Sequence, residues 1–244
     1  MTAGPRRRRA PAEDHIRAMF DDVAERYDLL NDVISLGLDR WWRRVAARAV
    51  ADATAPGARV LDLGCGTGRL GALMAGRARV VGVDVSQAML ARARDAAAPF
   101  AGLVQASAFR LPFADASFGA VASGFVLRNL EDLGGAFREM ARVTAPGGAV
   151  VALDITGPSD RRLRRLFDAY FGTVAPALGG LIERREAYCY LVRSLAQLPS
   201  PPELCTLLEG AGLAAAHARP LTWGTATLFT ARVRQGTDRK KASG

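Results

Sequence analysis

Lysine, histidine and cysteine are all scarce in this chain. The only lysines are Lys240 and Lys241, and the only histidines are His15 and His217. Neither histidine lies in a motif, so a mechanism driven by an imidazole base has no support. His15 reads as a helix-start surface residue and His217 as a strand residue. The cysteines, Cys65, Cys189 and Cys205, are odd in number and lack metal-ligand spacing. That argues against a disulfide framework or a metal site, and it fits reduced thiols in a cytosolic protein. No apolar run approaches the roughly 18 residues that a membrane span requires. Arg6 to Arg9 are followed by no apolar stretch, so the N-terminus is not a secretory signal.

What is abundant is arginine, within a formal net charge of +9. Much of that charge sits in the tails. Without Arg6 to Arg9 and the Asp238 to Lys241 stretch, 26 basic and 23 acidic residues remain, or +3. The body therefore offers no strongly basic face, and no strand pattern of aromatic and basic residues suits base stacking. Nucleic acid is not an expected partner, although the basic tails are expected to be disordered and to favour an anionic surface.

The most informative stretch is Val60-Leu-Asp-Leu-Gly-Cys-Gly-Thr-Gly68. A short apolar run ends in Asp62, and glycines recur at 64, 66 and 68. Glycine lets a strand turn sharply and brings bare backbone N–H groups against a ligand. A dinucleotide fingerprint would place its third glycine at position 69, which is Arg69. The observed spacing suits S-adenosylmethionine instead, whose aminoacyl end has no pyrophosphate to cradle. A second apolar run, Val80-Val-Gly-Val-Asp84, ends in an acid at βαβ spacing. Asp84 is placed to accept both ribose hydroxyls of an adenosine, or else to cap the helix that starts near Ser86.

Strand and helix signals alternate from residue 59. Strands are expected at 59–63, 79–84, 102–106, 118–123 and 148–155, with helices near 69–76, 87–97 and 134–144. Pro146-Gly147-Gly148 is expected to end the last of these helices. Residues 13–50 look helical, with Ile16, Met19, Phe20 and Val23 at helical spacing. A helix near 202–211 and strands around 213–219 and 224–233 close the chain. Alternation of this kind predicts a doubly wound parallel sheet with its ligand at the carboxyl ends of the strands. One domain is expected over 13–234, between disordered tails at 1–12 and 235–244. Within it, 13–50 forms a helical lid and 157–200 a substrate-side insertion. In the insertion Leu163, Leu166, Phe167, Tyr170, Phe171 and Val174 make a helical stripe between arginines. The stripe is either ordinary core or the cover of a greasy substrate site, such as one beside a membrane.

Several further stretches resemble one family. Tyr27-Asp-Leu-Leu-Asn-Asp-Val-Ile-Ser-Leu-Gly-Leu-Asp-Arg-Trp41 resembles the N-terminal signature of the ubiquinone/menaquinone biosynthesis C-methyltransferases. Leu111-Pro-Phe-Ala-Asp-Ala-Ser-Phe118, Phe125-Val-Leu-Arg-Asn129 and Arg138 to Gly148 resemble its central part. Tyr188 to Ser194, Pro199-Ser-Pro and Leu221-Thr-Trp-Gly224 resemble its C-terminal part. The resemblance implies a class I, Rossmann-like methyltransferase with a mostly parallel seven-stranded sheet and S-adenosyl-L-methionine as cofactor. It implies no metal. Tyr27, Asp62, Gly64, Gly66, Thr67, Gly68, Asp84, Ser107, Ala108 and Gly124 would be cofactor residues, with Thr67 on the methionine side, Ser107 and Ala108 beside the adenine, and Gly124 near the sulfonium. The chain departs from the family's pattern at Ser107, where Asp or Asn is frequent, at Gly119, often Asp, at Asp39, where some relatives carry His, and at Ala231, often Gly.

The acceptor implied is a prenylated quinol, most directly demethylmenaquinol. The alternative is another small phenolic or polyketide acceptor. Arg128 could stabilise a phenolate or orient a water, Asn129 could hold the same oxygen, and Tyr188 and Tyr190 could contact the quinol. Asp154, at the end of strand five, could accept a proton. The plain alternatives are an Arg128 ion pair with Glu131 or Asp132, core packing for the tyrosines, and a cap for Asp154. Peripheral membrane association and a homodimer are open.

Overall fold

The computed structural model describes residues 13–96, 99–174, 194 and 198–235. The tail at 1–12, the tail beyond Gln235, and Tyr188, Cys189 and Tyr190 lie outside these residues. Strand β1 (Arg59–Leu63) is buried on both faces, because helices cover both, and Asp62 is its one buried charge. Leu61 and Leu63 point to one core with Phe137 and Met140, while Val60 joins Trp42, Ala46 and Leu70 in the other. The same alternation runs through β2 (Arg79–Asp84), β3 (Gly102–Gln105), β4 (Phe118–Gly124) and β5 (Thr144–Ile155). With β6 (Leu213–Leu221) and β7 (Ala226–Val233) these strands make one seven-stranded sheet, ordered β3-β2-β1-β4-β5-β7-β6. The five β1-to-β5 strands pair in parallel, and β7 is antiparallel to both its neighbours. This is the expected doubly wound α/β fold, with its switch point between β1 and β4.

The helical N-terminus is three helices, α1 (Glu13–Val23), α2 (Tyr27–Ile34) and α3 (Leu38–Ala53). Leu36 and Gly37, both at positive φ, make the break between α2 and α3. Helix α3 buries Trp42, Ala46, Ala47 and Val50 beside α4 (Arg69–Ala75) on one face of the sheet. On the opposite face, α6 (Leu133–Val143) and α8 (Pro201–Gly210) pack together, while α5 (Gln87–Asp95) lies against β2 and β3 on the α4 side, with Ala93 beside Gly68 and Phe100. Ser86 caps α5 by accepting from the Met89 N–H at 3.0 Å, and Asp132 caps α6 by accepting from Gly135 at 2.9 Å. Helix α7 (Arg161–Ala169) begins the inserted segment and buries none of its residues.

Pro146-Gly147-Gly148 does not stop a helix. Helix α6 ends at Val143, and β5 begins at once from Thr144. Phe118 pairs with Thr144 but Ala120 with Ala149, so the residues between bulge out of the ladder. Gly148 is needed there for closeness: a Cβ would lie 2.6 Å from the Gly119 carbonyl oxygen and 2.8 Å from that of Ala145. Backbone cannot step aside as a side chain does. Gly148→Ala should therefore lower stability by about 1–3 kcal/mol. Gly102→Ala in β3, where a Cβ would meet nothing within 4 Å, should change it by less than about 0.5 kcal/mol. Urea midpoints of the two variants check this, and equal midpoints would contradict it.

Candidate active site

The site grows from the ends of β1 and β2. After Leu63 the chain turns through Gly64 and Gly66, both with φ near +60° (65° and 55°), and enters α4 at Arg69. Asp84, the last residue of β2, holds this turn. Its Oδ2 accepts from the Gly66 N–H at 2.8 Å and its Oδ1 from the Ser86 N–H at 2.9 Å. Capping of α5 thus falls to Ser86, while Asp84 ties the glycine turn to the start of that helix. Each carboxylate oxygen keeps lone-pair capacity for one more donor. Burial pushes the Asp84 carboxyl above its ordinary range, and the backbone N–H groups of Ser86 and Gly66 oppose the rise.

Around this turn lies a first cavity of about 720 Å³. Six of the expected cofactor residues line it: Tyr27, Gly64, Gly66, Asp84, Ala108 and Gly124. The other four stand behind the lining. Thr67 donates to Asp28 of α2 at 2.8 Å, Ser107 donates to Glu13 of α1, and Gly68 packs against the Phe100 ring. Asp62 is buried under the first turn of α4, with its Oδ2 lacking a hydrogen-bond partner. Burial pushes its carboxyl up to about 7, with the Arg43 charge pulling the other way.

Sequence reading missed the lid side of this cavity, where Ile16 and Phe20 of α1 meet Met89 and Phe109. It also missed its charge: among the described residues Glu13, Asp84 and Glu131 line the cavity and no arginine does. An acidic lining repels a pyrophosphate and attracts a cation. The bare backbone at Gly66, where a Cβ would meet only Tyr27 at 3.9 Å, leaves room for a ligand to lie against the turn.

A second cavity, of about 1000 Å³, adjoins the first through Phe125, which lines both. Its walls are apolar: Leu36 and Trp42 from the lid, Leu163, Leu166 and Phe167 from α7, and Trp223. The stripe predicted in the insertion thus faces this cavity, with Phe171 buried against Ile34. Arg128 and Asp39 bring charge to it. Arg128 lies in a short turn after β4, and its ion-pair partner is neither Glu131 nor Asp132. Its Nη1 donates to Asp154 Oδ1 at 2.5 Å, and its backbone N–H donates to Oδ2 at 3.2 Å. Asp154 is fully buried, lines neither cavity and holds the Arg128 guanidinium. Asn129 faces the first cavity. Tyr188 lies outside the described residues.

Parallel sheet order, glycine turn, acid-ended β2 and lid together define a class I, Rossmann-like methyltransferase fold. Solved structures agree on the fold: a Thermotoga maritima S-adenosylmethionine-dependent methyltransferase aligns with a TM-score of 0.61 at 18% identity, over 89% of this chain and 99% of that one. A Haemonchus contortus N-methyltransferase solved with S-adenosylhomocysteine aligns with a TM-score of 0.63 at 17% identity, over 90% of this chain and 60% of that one. Residues 9–232 match the ubiE/COQ5 methyltransferase family, and the chain belongs to that family. Its curated relatives include the ubiquinone/menaquinone biosynthesis C-methyltransferase UbiE of Geobacter sulfurreducens, 38% identical over 89% of this chain and 88% of that protein. The demethylmenaquinone methyltransferase of Beutenbergia cavernae is 41% identical over 89% and 90%.

Asp62 gives a pH signature. A carboxyl raised in the folded state contributes its stability below its unfolded value of 3.8 and loses it as pH climbs through about 7. Asp62→Asn should track the wild type near pH 4 and exceed it by of order 2–4 kcal/mol at pH 8. Thermal unfolding of both proteins across that range measures the gap, and parallel curves would mean that Asp62 is not strained by burial.

Proposed function

We propose that the chain transfers a methyl group from S-adenosylmethionine to a ring carbon of a prenylated quinol, with demethylmenaquinol as acceptor and menaquinol as product. Family membership supports methyl transfer, and the names of the relatives support a quinol. The single structural observation that carries the reading is the pairing of an acidic cavity at the glycine turn with a larger apolar one across Phe125.

The residues present fit the cofactor. Asp84 would take the ribose hydroxyls, the Gly64 to Gly66 backbone would face the methionine part, and the carboxylates would favour the positive sulfonium. When bound, S-adenosylmethionine supplies an electrophilic methyl group, so the protein's share is alignment and exclusion of water. Phe20, Met89 and Phe109 close the cofactor side with apolar surface. Arg128, aimed by Asp154, offers a preorganised cation to the phenolate that makes the ring carbon nucleophilic.

The apolar cavity opens through side chains that water leaves unpaired. Trp223 is 80% exposed, Leu36 71% and Leu166 69%. Arg161, Arg162 and Arg165 are exposed on α7 beside them. A greasy rim edged with arginine suits peripheral contact with an anionic bilayer, where a prenyl quinol resides, on the cytoplasmic side. No helix among the described residues is long and apolar enough to cross a membrane.

Two measurements test the reading. Cells lacking the protein should accumulate a demethylated quinone on mass analysis of the quinone pool, and an unchanged pool would sink the proposed acceptor. In calorimetry, Asp84→Ala should bind S-adenosylmethionine at least about tenfold more weakly, since each charge-assisted bond is worth about 1.5–3 kcal/mol. Undiminished affinity would remove Asp84 from the site.

The prenyl chain gives a separate test. Leu166 is too exposed for its loss to threaten the fold, yet it lines the apolar cavity. Leu166→Ser should raise KM severalfold for long-chain quinols and leave a short-chain analogue unaffected. Equal behaviour with both acceptors would place the prenyl chain elsewhere.

A further inference from the structure

We propose that Asp39 is a catalytic residue: it accepts the hydroxyl proton of the quinol and so makes the ring carbon nucleophilic. The inference rests on the quinol reading above and goes beyond it by naming the base. Among the described residues lining the apolar cavity, Asp39 is the only carboxylate. It is almost fully buried, at 2% exposure, on the face of α3 that, Arg43 apart, packs apolar core. A carboxylate there has a large desolvation cost, which the structure offsets on one oxygen. Oδ2 accepts from Arg69 at 2.9 Å and from Arg43 at 3.4 Å.

Oδ1 is different. Its only hydrogen-bond partner among the described residues is the Ser35 hydroxyl at 3.3 Å, beyond the 2.5–3.0 Å of a good O–H···O bond. Ser35 lines the same cavity. Oδ1 is therefore the strongest acceptor that a hydroxyl entering the cavity would find, and Asp154 is shut away behind Arg128. The place is also right. Arg43 touches Asp39, lies 4.8 Å from the centre of the Phe125 ring, and would be 3.4 Å from a Cβ at Gly124, which lines the cofactor cavity. Asp39 thus stands one side chain away from where the two cavities meet. Arg43 and Arg69 face it directly, and Asp28, Asp32 and Arg40 complete the charged surroundings.

The step balances without a further reactant. The hydroxyl O–H bond breaks towards Asp39 Oδ1 as its electrons move into the ring. The ring carbon bonds to the methyl carbon while that carbon's bond to sulfur breaks, its electron pair leaving with the sulfur. The same ring carbon then releases its hydrogen to water as a proton, and the phenolate oxygen takes back the proton held by Asp39.

Asp39→Asn keeps the shape but turns an acceptor into a partial donor. The readout that needs no turnover is binding of a short-chain naphthol against its O-methyl ether. Wild type should prefer the naphthol by about tenfold or more, and Asp39→Asn should lose that preference while binding S-adenosylmethionine normally. In turnover, Asp39→Asn should lower kcat by about a hundredfold with an ordinary quinol and by far less with acceptors of more acidic hydroxyl. Should Asp39→Asn fail to fold, Asp39→His, whose ring nitrogen also accepts, should retain the naphthol preference. A retained preference in Asp39→Asn, its absence in the wild type or in a folded Asp39→His, or a kcat deficit independent of hydroxyl acidity overturns the proposal. Wild type that methylates no quinol at all overturns the quinol reading and this inference with it.

Discussion

Arg69 is the first residue of α4, a place where the helix dipole disfavours a cation. Three carboxylates reverse that preference. Its Nε lies 3.1 Å from Asp28, its Nη1 2.7 Å from Asp32 and 2.9 Å from Asp39. A guanidinium presents five donors in a rigid plane, so one arginine can serve carboxylates from α2 and α3 at once. The hydrogen bonds from Arg69 and Arg40 hold the Asp32 carboxyl well below the usual carboxylate range, and the Arg69 charge is reinforced in turn. The Arg69–Asp32 pair therefore stays ionised at any ordinary pH and anchors a fixed clamp. It fastens the lid to the residue directly after the glycine turn. Tyr27 in the cofactor cavity and Asp39 in the apolar one both owe their positions to it.

The second constraint is Phe125. It takes φ of +66°, a left-handed conformation that a bulky side chain adopts only at a cost of about 1–3 kcal/mol. What holds it is visible. Its N–H donates to Leu153 at 2.7 Å, its ring tilts against Trp42 at 6.2 Å, and the Arg43 and Arg128 guanidiniums lie 4.8 and 5.7 Å from its centre. Each of those arginines is itself fixed by a buried aspartate, Asp39 or Asp154. Strain here yields a wall between cavities of opposite character, thin enough for both to share one ring.

The sheet was legible because buried strands need only short apolar runs with turn residues between them. Val60 to Leu63 and Val80 to Val83 say as much without any neighbour. The glycine turn and Asp84 were legible for the same local reason. Pro146-Gly147-Gly148 misled, since a bulge that needs small residues for a close backbone approach writes the same letters as a helix stop. The charge clamp was not legible, because its members lie 30 and more positions apart, as Arg69 does from Asp39. One signal was there to be used. Asp39, Trp42, Arg43, Ala46, Ala47 and Val50 repeat at helical spacing on one buried face, and two of the six are charged. Charge on an apolar stripe marks a buried pair with a purpose other than packing.

Two buried carboxylates beside the glycine turn complete the same logic. Asp62 and Asp84 both sit where burial raises their carboxyls, with the Asp84 charge adding to the rise at Asp62 and the Asp21 charge to that at Asp84. A fold selected for stability alone would place an apolar or amide side chain at Asp62, whose Oδ2 lacks a partner. Retaining the acid costs stability in the free protein and creates a site waiting for positive charge. In the proposed reading a sulfonium with its ammonium group would provide that charge, whereas a pyrophosphate would deepen the conflict. On that reading binding and folding pull on Asp84 in opposite directions, and the strain that a cationic ligand would relieve there would become part of its affinity. The clamp at Arg69 completes the arrangement, because it ties α2 and α3 to the helix that follows the glycine turn.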